Sequence, residues 1–326
     1  MRTIDWVDGA VEIIDQTALP QRLTVLRLTT SAQLVAAIQR LAVRGAPALG
    51  VAGALGVALA AREFDRPDTC RQAVAAIEAA RPTAVNLATG VQRAAARLPA
   101  GPDAVLAEAL RLRDEEIRSA AAMAERGADL LTDLCEGPLR LLTHCNTGGL
   151  ATVTGGTALG VVTELHRRGH LAAVIASETR PLLQGARLTA WELSQAGIPY
   201  RVAVDSAGPF LAARGEVDAV VVGADRICAN GDVVNKIGTY AHALGAARAG
   251  IPFVVVAPES TLDPGTPTGG QVEIEDRDAA EVLSLHGVPI TPPGAAAVNP
   301  AFDVTPADLV TAIVTDTRTL RPPLTA

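Results

Sequence analysis

The sequence predicts an α/β protein. Its second half is a mostly parallel sheet with helices on both faces, preceded by a smaller, mainly helical domain that opens with short strands. Three observations carry this prediction. From residue 139 onward, short β-branched runs alternate with helical stretches, the order from which parallel sheets are built. From residue 31 to about 134, apolar residues recur with the helical period instead. Finally, 49% of the 326 residues are hydrophobic but only 2% are aromatic, so the core is aliphatic and its helices meet through small side chains. This length fits one large or two ordinary domains. The boundary falls in a long helix, giving domains 1–125 and 126–326.

Taken in order, Val11–Gln16 and Leu23–Leu28 alternate as strands around the turn Ala18–Gln21. Thr30 or Ser31 caps a helix over 32–41. Arg44-Gly45-Ala46-Pro47-Ala48 breaks it, and Pro47 suits the first turn of the next helix. Amides at a helix start favour anions, so Arg44 and Gly45 are candidate phosphate ligands; a plain helix-to-helix turn is the alternative. Gly45 to Ala61 is uncharged, but short and rich in Gly and Ala, and reads as a buried helix rather than a membrane span. Helical patterns follow at 71–80 and 90–98. Between them Arg81 precedes Pro82 and projects from a loop. Residues 103–134 form one long amphipathic helix.

In the second half, strands are predicted at 139–143, 172–176, 200–204, 217–222 and 252–256, with helices at about 150–168, 184–196, 206–213 and 235–249. In such sheets ligands bind beyond the carboxyl ends of the strands. Those ends carry His144-Cys145-Asn146-Thr147-Gly148-Gly149, Glu178-Thr179-Arg180-Pro181, Asp205-Ser206, Asp225 and Pro258-Glu259-Ser260-Thr261. A thiol, several carboxylates and glycine-rich turns thus converge on one edge. Cys145 lies near an expected helix start, which lowers a thiol pKa; an inert buried cysteine is the alternative. Asp225, Asn235 and Lys236 crowd behind a buried strand, where the bland reading is a helix cap and a solvated lysine.

The function classes excluded are several. Net charge is −7, from 35 acidic and 28 basic residues, with no basic block for nucleic acid. Cys70, Cys135, Cys145 and Cys228 lie far apart, against a zinc site or disulfide scaffold and in keeping with a reducing cytoplasm. The N-terminus lacks the apolar core of a signal peptide. The expectation is a soluble cytoplasmic protein. No GxGxxG follows a strand and no P-loop is present.

The segments Arg44–Ala48, Arg81–Leu87, His144–Gly148, Glu178–Pro181 with Gln184–Arg187, and Gly223–Ile227 through Asn230–Asp232 to Asn235–Tyr240 occur in this order. Together they resemble the S-methyl-5-thioribose-1-phosphate isomerases of methionine salvage. That superfamily also holds the regulatory subunits of a eukaryotic translation-initiation nucleotide-exchange factor. Glu273–Arg277 and Asn299–Pro306 fit the same pattern, so the resemblance runs from about residue 2 to Asp316. It implies a Rossmann-like C-terminal domain, a homodimer, and an aldose–ketose isomerisation of a sugar 1-phosphate without metal or cofactor. It assigns Asp225 as the acid that helps open the furanose ring and Cys145 to the transfer between C1 and C2. Arg44, Gly45, Ala46, Arg81, Gln184, Asn235 and Lys236 become substrate-binding residues.

The chemistry fits these residue types. A 1-phosphate blocks the anomeric hydroxyl, so ring opening needs protonation of the ring oxygen, and an acid active near neutral pH needs a raised pKa such as burial supplies. Arg44 and Lys236 neutralise phosphate charge. The sequence departs from the family at Ala88-Thr89-Gly90, where relatives carry aromatic residues. A more open pocket wall is expected there, which leaves related substrates, 5-deoxyribose 1-phosphate or ribose 1,5-bisphosphate, as alternatives. A non-catalytic sugar-phosphate or nucleotide binder is a second class; the thiol and acid together favour the enzyme. A nicotinamide oxidoreductase would rest on fold class alone.

Overall fold

A computed structural model describes residues 2–82 and 84–324. Met1, Thr83 of the Arg81–Leu87 segment, Thr325 and Ala326 lie outside the described residues. The chain forms two compact units, Met1–Ala121 with Thr147–Gly156, and Ala122–Asn146 with Thr157–Ala326. The first division lies close to the sequence boundary at 125. The stretch Thr147–Gly156, assigned by sequence to the second domain, belongs with the first unit.

The first unit opens with an antiparallel sheet of β1 (Ile4–Val7), β2 (Ala10–Ile14) and β3 (Val25–Leu28). Sequence periodicity missed β1. Five helices follow: α1 (Ser31–Gln39), α2 (Ala46–Glu63), α3 (Pro67–Glu78), α4 (Val85–Ala95) and α5 (Pro102–Leu134), the last contributing residues 102–121 here. Thr30 caps α1 in a capping box: its hydroxyl accepts the Gln33 amide and the Gln33 side chain accepts the Thr30 amide.

Helix α2 is the centre of this unit. Pro47 to Ala60 are all buried; it is long and apolar enough to span a membrane by composition, but here it is a core helix. Its glycines let neighbouring helices approach closely. Gly90 of α4 lies so close to α2 that a Cβ there would overlap the Gly50 carbonyl. The expected open wall at 88–90 is therefore not formed by Gly90, which is buried between helices. Trp6 on β1 lies under the Arg62 guanidinium, 5.6 Å from the ring centre.

The second unit contains, in order, β4 (Leu139–Thr143), α6 (Ala158–Arg167), β5 (Leu171–Ser177), α7 (Ala190–Gln195), β6 (Tyr200–Ala203), α8 (Ala207–Ala213) and β7 (Ala219–Val222). Then come β8 (Arg226–Cys228), β9 (Val233–Lys236), α9 (Thr239–Ala249), β10 (Phe253–Val256), β11 (Leu262–Asp263), α10 (Ala280–Leu283), β12 (Ser284–Leu285), β13 (Val288–Pro289), β14 (Phe302–Thr305), β15 (Ala312–Val314) and β16 (Thr319–Leu320). The central sheet has order β16-β15-β10-β7-β4-β5-β6, parallel throughout except for β16 at one edge. This is a mixed α/β unit with a mostly parallel sheet.

Strand residues alternate between two cores. Leu141, Val174, Val221 and Val254 pack with residues of α5, α6 and α7, while Leu142, Ile175, Val220 and Val255 pack with residues of α8 and α9. Trp191 is the only tryptophan of this unit and lies on α7.

Two helix predictions fail for physical reasons. The helix expected at 150–168 starts only at Ala158, because the glycine-rich stretch before it turns on itself in a Gly148–Gly156 bridge. The helix expected at 235–249 starts at Thr239. Asn235 and Lys236 belong instead to β9, whose Val233-Val234 pair favours a strand. This strand joins a small sheet of order β11-β8-β9-β14.

Candidate active site

In the central sheet the chain order reverses between β4 and β7: β5 and β6 lie on one side, β10 and β15 on the other. The carboxyl ends of the strands flanking such a reversal form a natural ligand crevice. Cys145 follows β4, and Asp225 follows β7. The register pairs Leu142 with Val220; carried past the strand ends it sets Cys145 level with Gly223, two residues before Asp225. The second unit therefore brings its predicted thiol and acid to neighbouring strand ends.

Cys145 is half-buried and has φ +60°, a left-handed conformation that costs a non-glycine residue about 1–2 kcal/mol. The turn is held on both sides. The Cys145 amide donates to Thr179 Oγ1 at 2.9 Å, and Thr189 Oγ1 donates to the Cys145 carbonyl at 2.7 Å. Thr179 itself has φ +65°; its amide donates to Asp205 at 2.7 Å, as does the Arg180 amide. Asn146 donates to Glu192 at 2.7 Å. No helix starts directly after Cys145, since α6 begins only at Ala158.

Gln184 precedes a π turn at Gly185–Thr189. Its side chain is 6% exposed and its Oε1 is buried without a hydrogen-bond partner. A buried acceptor left in this way costs about 1–3 kcal/mol, a cost that a ligand donor would remove.

Asp225 leads into β8. Its amide donates to the Val234 carbonyl at 2.9 Å, which ties it to the strand carrying Asn235 and Lys236. The register pairs Asn235 with Asp303 and Lys236 with Phe302. Asn235 is buried and donates to Thr239 Oγ1 at 3.0 Å. Lys236 Nζ donates to the Ala301 carbonyl at 2.9 Å and lies 4.5 Å above the Phe302 ring. The expected burial of Asp225 is not found: its side chain is exposed. The more enclosed acid here is Asp303, which is half-buried. Burial pushes its carboxyl up to about 6, against the lowering effects of the Gly238 and Tyr240 amides and of Lys236.

In the first unit, Gly45 caps α2 at φ +94°, and a Cβ would overlap the Ala151 carbonyl; only glycine fits. The Ala48 amide is taken by Ala151 O at 3.2 Å and Pro47 has none. Any backbone anion site at this helix start thus narrows to Gly45 and Ala46. Arg44 is half-buried beside it. Arg81 is half-buried in the turn before α4, its carbonyl accepting the Ala84 amide at 3.0 Å.

The sequence reading passed over His144, Thr179, Asp205 and Asp303 as functional groups. Three of them stand in the strand-end segments already singled out, where a hydroxyl or carboxylate next to a turn was the available signal. Asp303 lies in the Asn299–Pro306 segment, but nothing local marked its carboxyl, because its role depends on Asn235 and Asp303 pairing across 68 positions of chain.

Residues 42–322 match the model of the Initiation factor 2 subunit family. A probable bifunctional methylthioribose-1-phosphate isomerase/methylthioribulose-1-phosphate dehydratase of Nocardia farcinica is 54% identical over 97% of this chain, which spans 59% of that relative. The methylthioribose-1-phosphate isomerase of Anaeromyxobacter dehalogenans is 52% identical over 96% of the chain and 91% of its own length. A 5-deoxyribose 1-phosphate isomerase of Moorella thermoacetica is 48% identical over 98% and 94%. Among solved structures, 5-methylthioribose 1-phosphate isomerase from Pyrococcus horikoshii OT3 superposes with a TM-score of 0.92 at 39% identity, covering 99% of this chain and 93% of that one. Translation initiation factor eIF-2B, subunit delta, from A. fulgidus gives 0.88 at 43%, covering 99% and 96%.

Proposed function

Because the chain belongs to the Initiation factor 2 subunit family, we propose that it converts S-methyl-5-thio-α-D-ribose 1-phosphate into S-methyl-5-thio-D-ribulose 1-phosphate, a step of methionine salvage. The observation that carries this reading is the near full-length match to isomerases of that name, at 52% identity with 91% of the relative covered. The pairing of Cys145 and Asp225 at neighbouring strand ends supports it.

On this reading the Asp225 carboxyl protonates the ring oxygen as the C1–O bond breaks. Hydrogen then leaves C2 and arrives at C1, with the Cys145 thiol assisting. The proton lost from the C2 hydroxyl as the ketone forms balances the one given to the ring oxygen. Bound sugar would cover the exposed Asp225 and supply the desolvation that raises a carboxyl pKa. Lys236, Asn235 and Gln184 bind substrate oxygens, and Arg44, Gly45, Ala46 and Arg81 are substrate-binding residues of the first unit. The second unit is Rossmann-like, and the enzyme works as a cytoplasmic homodimer.

The test is phosphorus and proton NMR of the purified protein with the 1-phosphate in heavy water. Appearance of the ketose 1-phosphate supports the proposal. Deuterium at C1 assigns proton transfer, and its absence leaves hydride transfer or transfer of a shielded proton. A second reading, isomerisation of 5-deoxyribose 1-phosphate, is motivated by the Moorella relative; faster turnover of that sugar would replace the first.

A further inference from the structure

We infer that His144, its tautomer set by the Ile237 carbonyl and matched by His242, is a positioning residue that holds the end of the strand carrying Asn235 and Lys236 in place relative to Cys145. The inference rests on the proposed isomerase reading for its kinetic part only. His144 lies between β4 and Cys145 and is completely buried. Its Nε2 lies 2.8 Å from the Ile237 carbonyl, one residue beyond Lys236. A carbonyl only accepts, so Nε2 carries the proton and Nδ1 does not. That Nδ1 is 3.3 Å from His242 Nε2, which therefore donates. His242 Nδ1 is left as a buried acceptor without a partner.

The chain of bonds thus runs in one direction, from His242 through His144 to the turn at Ile237. Packing fixes both rings. They meet edge to face with centres 4.9 Å apart. Gly208 presses on His242 so closely that a Cβ would overlap its Nδ1. Gly238, at φ +104°, lies against the His144 ring, where an added Cβ would come within 3.0 Å of its Cε1. Burial lowers both imidazoles, His242 to about 3, which favours the neutral rings that this pattern of bonds requires.

The Ile237–Gly238 turn is the exit of β9, and its backbone is held at several points; the Ile237 amide donates to the Ala301 carbonyl at 3.1 Å. His144 takes the carbonyl side, and Asp303 accepts the Gly238 amide at 2.7 Å and the Tyr240 amide at 3.2 Å. The Cys145 peptide has its own anchors in Thr179 and Thr189. Loss of the His144 bond therefore loosens the turn that follows Asn235 and Lys236, which stay paired with β14, rather than the thiol. A core histidine with a merely structural role would lower stability and leave the KM of the folded enzyme unchanged.

The experiment compares His144→Leu and His144→Gln in the full chain. In His144→Leu, KM for the sugar 1-phosphate should rise about tenfold, the size of one lost buried hydrogen bond, with a smaller change in kcat. His144→Gln keeps an N–H donor and should restore most of the loss. In a Lys236→Met background, His144→Leu should add less than about twofold, because both changes remove the same interaction. Full multiplication of the two effects would overturn the inference. Backbone hydrogen exchange over 237–242, measured in the free proteins, should quicken in His144→Leu relative to the wild type. Unchanged exchange there overturns the inference even if the wild type proves inactive on this sugar, whereas wild-type inactivity with quickened exchange removes only the isomerase reading.

Discussion

Cys145 and Asp225 reach the same sheet edge by different means, and the difference predicts how each variant fails. Cys145 is held in a left-handed turn by two threonines, so Cys145→Ser keeps the geometry and loses only the thiol. Asp225→Asn keeps the backbone bond to Val234 and removes the acid. Both variants should bind substrate with little change while turnover falls by about 10²–10⁴-fold, the usual weight of acid–base groups; either one retaining near-wild-type kcat would remove that residue from the mechanism. Gln184 should behave in the opposite sense on two readouts. Its buried Oε1 has no partner in the free protein, so Gln184→Met should raise the melting temperature by the relief of about 1–3 kcal/mol while raising KM. Calorimetry and kinetics on the same sample check both signs together.

Helix α2 and helix α4 are matched at their glycines. Gly90→Ala would force a methyl group against the Gly50 backbone, and overpacking of this kind costs about 1–3 kcal/mol, to be read as a lower denaturant midpoint. An aromatic residue at position 90 is excluded here by the same contact. Elements with strong local periods were legible in the sequence: β4 over Leu139–Thr143 and α5 over Pro102–Leu134 agree with their predicted spans almost to the residue. Strand β9 was misread as the start of a helix because its pairing partners lie in β8 and in β14, far along the chain. Local pattern holds no trace of such a partner. The same blindness made Asp225 look buried, since the sequence shows that a strand ends there but not what covers the residue after it. The strand-end segments, by contrast, could be located from order alone, because parallel topology sends every one of them to the same edge.

Across the molecule, two buried histidines, His144 and His242, and the half-buried carboxyl of Asp303 set opposing pH dependences. His242 has its folded pKa lowered to about 3, by burial first and then by His144, with Asp205 acting the other way. Its contribution is lost as pH falls from about 6.5 towards 3, because the unfolded chain then binds the extra proton. Asp303 has its folded pKa raised to about 6, so its contribution is present below about 3.8 and lost as pH rises through 6. Between about pH 4 and 6 the slopes of His242 and Asp303, each about 1.4 kcal/mol per pH unit at most, offset one another. Asp303→Asn should therefore steepen the gain in stability with rising pH over this window, and His242→Gln should flatten or invert it; parallel denaturant titrations at pH 4.5 and 6 would show equal slopes in all three proteins if neither group is linked to folding. Following such transitions separately in each unit needs no added label. The near absence of aromatic residues leaves two tryptophans, Trp6 on β1 of the first unit and Trp191 on α7 of the second. Replacing either by Phe turns the remaining indole into an optical reporter of one unit. Emission from Trp191, in the helix that holds Glu192 against Asn146, would then follow the unit of Cys145 and Asp225, while Trp6 follows the unit of Arg44 and Arg81.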